Sequence, residues 1–149
     1  MRVQKYRKEE QVMREILFRA KSREDGEWVY GGYFTAKGYL SGETLHFIAT
    51  EECEAFPRGE ITDATAIAPE TLGRYTGAND KNDVKIFEGD IVKVWNALGE
   101  YVETSSVRWD DIYNGFHTKK NTLFGKNVMS YEVVGNIHDN PKMIGDANA

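Results

Sequence analysis

A chain of 149 residues, 40% hydrophobic and 29% charged, has room for one domain or two tightly joined subdomains and can bury a core without disulfides or metals. Its net charge of −5 is uneven: residues 1–23 carry eight Lys/Arg against three Glu, and residues 24–149 carry eleven against twenty-one Asp/Glu. No apolar run approaches the ~20 residues of a membrane span, the basic N-terminus lacks the apolar stretch of a secretory signal, and an acidic body repels phosphate backbones except where positive charge clusters, so the cytoplasm is the expected location.

Residues 1–12 read as a basic extension, with Arg2, Lys5, Arg7 and Lys8 clustered and no Gly or Pro, either a short helix or a frayed tail. The ordered chain is expected to begin at Met13, with Ile16–Phe18 as its first strand. Asp25-Gly26 signals a hairpin turn, Glu27–Tyr30 its return strand, and Gly31-Gly32 a break or bulge. Lys37-Gly38, between Tyr33-Phe34 and Tyr39-Leu40, predicts a second hairpin tip, and Leu45–Ala49 a further strand. The acidic stretch 51–63, with Pro57 and Gly59, reads as a loop. Ala64–Ala68 predicts a short strand that Pro69 stops, and Pro69–Leu72 one helical turn. Gly77–Asp83 reads as an irregular polar connection, and Gly89-Asp90 as the entry to a buried strand, Ile91–Trp95. In the turn Glu88-Gly89-Asp90, Gly89 is expected to take the bend and Asp90 to accept backbone N–H groups. Leu98-Gly99 is a turn, Tyr101–Trp109 a long β-rich run, Asn114-Gly115 a turn, 121–127 another, and Tyr131–Ile137 a closing strand ended by Asn140-Pro141, with a loose tail over 145–149. Short strands at close spacing, aromatics at 12% and no sustained 3.6-residue apolar period predict a mainly β fold, a barrel or meander.

Chemistry-bearing motifs are sparse. Cys53 is the single cysteine, and Glu51, Glu52 and Glu54 beside it disfavour its thiolate. His46, His117 and His138 lack the spacing of a zinc site. The pairs Asp110-Asp111 and Glu51-Glu52 point to opposite faces of an extended chain. Asn79–Asp83 lacks the glycine and the flanking helices of a calcium loop. Ser105-Ser106 has no nucleophile elbow, and Gly73-x-x-x-Gly77 no phosphate-binding continuation. No metal, cofactor or catalytic residue is expected. Arg74 and Tyr75 offer a cation and a ring to a base or a peptide; read structurally, Tyr75 covers a barrel end and Arg74 pairs with an acid such as Glu70. Lys81 and Trp28 complete the candidate binding set; read structurally, Trp28, Trp95 and Trp109 are core or subdomain-interface residues, whereas an exposed one among them would mark a recognition surface.

Three blocks in order carry a resemblance to a family. They are Met13–Ala20 with Trp28–Gly31; Ala68–Gly77 followed by Asp80-Lys81-Asn82 and Ile86–Val92; and Tyr131–Pro141. Together they resemble the YopX family of phage and prophage proteins over residues 13–144. Lys21 stands where that family usually has Trp, and Asp83 where Gly is common in the turn; Asp tolerates left-handed conformations, so the turn is expected to survive. The resemblance implies an N-terminal β-meander or hairpin subdomain, residues 13–68, joined to a C-terminal SH3-like β-barrel, residues 69–144. It implies no catalytic residues.

The expected role is therefore a non-catalytic protein-interaction module in a phage or prophage setting. Its expected partner is a phage or host protein, or a second copy of itself through sheet edges. The alternative is a small-barrel nucleic-acid-binding protein aided by the basic leader, a reading the acidic body disfavours.

Overall fold

Ten strands form in chain order in the computed structural model, which describes residues 14–120, 122–123 and 129–144. They are β1 (Phe18–Ser22), β2 (Trp28–Lys37), β3 (Thr44–Ala49), β4 (Thr65–Asn79), β5 (Lys85–Phe87), β6 (Asp90–Trp95), β7 (Tyr101–Ser106), β8 (Arg108–Asp110), β9 (Gly115–His117) and β10 (Ser130–Asn136). A single 3-10 turn follows at Pro141–Ile144. The mainly β expectation holds. The leader 1–12, the tail 145–149 and most of the predicted turn at 121–127 lie outside the described residues.

All ladders are antiparallel. β1 pairs with β2, β2 with β3, β3 with β4, and β4 returns to β1, which closes a four-stranded ring. Alternation along β1 sends Ala20 into this ring, where it packs with Ile48 and Ile67. β5 pairs with the far end of β4. The C-terminal strands form a three-stranded sheet in the order β10-β6-β7 and the hairpin β8-β9. They surround a second, larger core that includes Ile86, Val92, Val94, Val107, Phe116 and Tyr131. The expected N-terminal meander is present in the order β1-β2-β3-β4, and the β1–β4 ladder closes it into a ring.

β4 departs from the sequence reading. Pro69 does not stop it, and residues 69–72 make no helical turn; the strand runs unbroken from Thr65 to Asn79. Its ladder to β1 shifts register between Arg19 and Lys21, opposite Gly73 and Ala68. The Thr71 hydroxyl fills the gap, accepting the Lys21 N–H and donating to the Ala68 carbonyl. A proline without an N–H is tolerated at such an irregularity. The predicted connection at 77–83 likewise begins later: β4 extends to Asn79, and the turn is confined to the residues before β5, with Asp83 at φ 63.

Gly31-Gly32 does not break β2, but it is where the strand changes partner. Trp28–Gly31 face β1, and Gly32–Lys37 face β3. A Cβ at Gly31 would lie 1.9 Å from the Ala49 carbonyl oxygen, so only glycine permits this approach. Tyr39 and Leu40, expected to flank the next hairpin, lie in its tip and are exposed. The long run 101–109 is divided at Val107 into β7 and β8.

Candidate functional site

Arg19 and Lys21 point away from the ring core, on the face of β1 opposite Ala20, and meet the C-terminal half there. The Arg19 guanidinium donates to Asp90 Oδ1 at 2.6 Å, and both side chains are almost wholly buried. It also sits 4.7 Å from the Trp28 ring centroid and 4.9 Å from that of Phe87. Asp90 opens β6 immediately after the bend at Gly89, and its Oδ2 accepts the Phe87 N–H at 2.7 Å. The backbone-capping role expected of Asp90 is therefore present, with an ion pair added to it. Burial pushes the Asp90 carboxyl up, against the opposing pull of Arg19 and the Phe87 N–H.

Beside this pair, Asp139 collects three donors: Lys21 Nζ, Trp28 Nε1 at 2.8 Å and Asn136 Nδ2 at 3.0 Å. The hydrogen bonds from Asn136, Lys21 and Trp28 hold its carboxyl well below the usual range. The His138 ring packs on Trp28 at 5.8 Å between centroids. Burial, then the charges of Arg19 and Lys21, press its imidazole below the ordinary value of 6.5. Charge and aromatic contacts therefore join the ring to the C-terminal half along one seam.

Next to the seam lies an open groove of about 1060 Å³. Trp28, Tyr30 and Phe87 supply its aromatic surface, Tyr30 and Phe87 meeting edge to face at 5.6 Å. Glu15, Glu51, Glu52 and Lys85 supply charge at its margins. Lys85 Nζ is paired with Glu15 at 3.1 Å. Among the described residues, no three His, Cys, Asp or Glu side chains gather in a metal-sized cluster.

Of the four residues singled out from sequence, only Trp28 lines this groove. Tyr75 is buried against Phe87, and its hydroxyl donates to Asn79 at 2.6 Å, so its ring offers no open stacking face. Arg74 is half-buried and forms no ion pair among the described residues, so the pairing with Glu70 is not made. Lys81 lies over the Trp95 ring at 4.2 Å and pairs with Glu132 at 3.1 Å. Sequence reasoning missed Arg19, Asp90 as its partner, and Asp139. A basic residue within Leu17-Phe18-Arg19-Ala20 was the available signal, because a charge inside an apolar strand demands a counter-charge.

The family model of the YopX protein matches residues 17–145. The chain belongs to the YopX family. Its fold is similar to the crystal structure of protein EF1440 from Enterococcus faecalis, with a TM-score of 0.52 and 23% identity over 89% of this chain and 99% of that one. No curated protein matches the chain. In this YopX chain, the first and last blocks of the resemblance meet physically at the seam: Arg19 and Trp28 come from the first block, and His138 and Asp139 from the last.

Proposed function

We propose that this YopX protein acts by binding another protein, without chemistry of its own, as an accessory factor of a phage or prophage in the bacterial cytoplasm. On this reading residues 13–68 and 69–144 are two subdomains, the second SH3-like, with β4 serving both. The observation that carries the reading is the groove beside Trp28. It has an aromatic surface, while the ionisable groups of the adjoining seam are engaged within the chain: Arg19 with Asp90, and Lys21 and Trp28 with Asp139. A catalytic acid or base needs a proton-exchanging group within reach of a substrate. A recognition surface needs an open concavity with aromatic anchors. A second exposed apolar patch, Trp109, Ile112 and Tyr113 on the β8–β9 hairpin, favours the same class of activity.

The test is capture from host lysate on the immobilised full chain, with light scattering of the free protein. A stoichiometric protein partner, or a defined oligomer, is the expected result. A monomer that retains no partner overturns the reading, and salt-steep capture of nucleic acid would replace it with the small-barrel alternative.

A further inference from the structure

The groove exposes a strand edge. β2 pairs with β1 through Trp28–Gly31 and with β3 only from Gly32 onward. β3 ends at Ala49, close against Gly31, and the chain leaves through Thr50, Glu51 and Glu52. Trp28–Gly31 therefore have a ladder partner on the β1 side and none opposite it among the described residues. All four line the groove. A bare edge beside an open groove is a template for an added strand.

Charge indicates the side chains of that strand. Arg19 is balanced by Asp90 and Lys85 by Glu15, whereas Glu51 and Glu52 are exposed at the margin and form no ion pair among the described residues.

We propose that the groove receives an extended basic segment of a partner protein, added as a strand along Trp28–Gly31, with Lys or Arg side chains towards Glu51 and Glu52. This rests on the interaction reading and gives it a site and a partner chemistry.

The test titrates the full chain against a fluorescein-labelled peptide of alternating Lys and Val, read by anisotropy. An alternating Glu-Val peptide serves as the charge control. Two further Lys-Val peptides carry N-methyl groups on one or the other hydrogen-bonding edge. Saturable binding of Lys-Val, none of Glu-Val, and loss on methylation of one edge only are expected. The Glu51→Gln/Glu52→Gln variant should bind about fivefold more weakly, the effect of two exposed charge pairs. No binding overturns the proposal, as does binding indifferent to both methylation patterns. A groove closed by a second copy, seen as a doubled mass with the peptide excluded, overturns it too. If the peptide fails while a lysate partner is still held by Glu51→Gln/Glu52→Gln, the groove assignment falls and the interaction reading stands. If no partner is held either, both fall.

Discussion

In the ring of β1–β4 the backbone closes on itself around three buried apolar side chains, Ala20, Ile48 and Ile67. In the C-terminal half eight buried apolar residues hold strands whose ladders do not close among the described residues. The consequence is visible in the polar side chains. Asp80 accepts N–H groups from Asn82, Val84 and Val133, Ser105 accepts that of Lys119, and Asp90 that of Phe87. The ring needs fewer such caps, because its ladders already satisfy both edges over much of its length. A small core is sufficient where the backbone is closed; an open assembly needs a larger core and polar residues placed to bond the amides that no strand reaches.

The strongest way to break this arrangement is at the seam joining the two regions. Asp90→Ala leaves the Arg19 charge buried without its partner and removes the cap on Phe87; a loss of about 3–5 kcal/mol is expected by urea unfolding. A loss below 1 kcal/mol would mean that the halves hold together without the pair. Within the ring, Gly31→Ala forces a Cβ onto the Ala49 carbonyl where β2 changes partner. The backbone there has to move apart, at about 2–3 kcal/mol. Amide exchange should speed up across β2 and β3 before it does in β6. In the C-terminal half, Asp80→Ala strips three amides of their acceptor for about 2 kcal/mol, less than the sum of three bonds because water reaches the turn. If Asp80→Ala proves costlier than Gly31→Ala, side-chain capping outweighs ring closure in holding the fold.

Local chemistry was legible in the sequence, and partnership was not. Asp25-Gly26 and Asn114-Gly115 marked their turns, with Gly26 at φ 73 and Asn114 at φ 50. Asp83 does take the left-handed conformation where the family commonly has glycine. Ile91–Trp95 stood out because an apolar run after a Gly-Asp turn has one ready explanation, a buried strand. Pro69 misled, since its local preference against strand pairing gave way to a bulge that needs no N–H at that point. The ring closure was invisible, because it depends on β4 finding β1 about fifty positions earlier in the chain. For the same reason Tyr75 stayed open between a ring offered to a ligand and a ring covering a barrel end until packing buried it, while Arg19 sits at the junction of the two regions. Exposure and counter-charge are properties of the packed chain, and sequence periodicity constrains them only to a face.

The smallest expected effect probes the seam by pH. His138 packs on Trp28, and burial together with Arg19 and Lys21 lowers its proton affinity, with Asp139 and Glu70 opposing. Its folded pKa thus lies below the unfolded value of 6.5, and the unfolded chain takes up more protons between the two. Stability contributed by the neutral ring is therefore complete above pH 6.5 and declines as pH falls through 6.5 towards the folded value. Asp139 acts in the same direction at lower pH: its carboxyl is held down in the folded chain, so its contribution begins to fade only as pH drops to about the ordinary 3.8. Urea midpoints measured across pH 7.5 to 3 should fall gently in the parent chain down to about pH 5 and more steeply below about pH 4. In His138→Gln the component centred below 6.5 should be absent, with the steeper acid limb retained. An unchanged slope in that variant would mean that the His138 ring is as free in the folded chain as in the unfolded one, and that Lys21, Trp28 and Asp139 hold the two regions together without it.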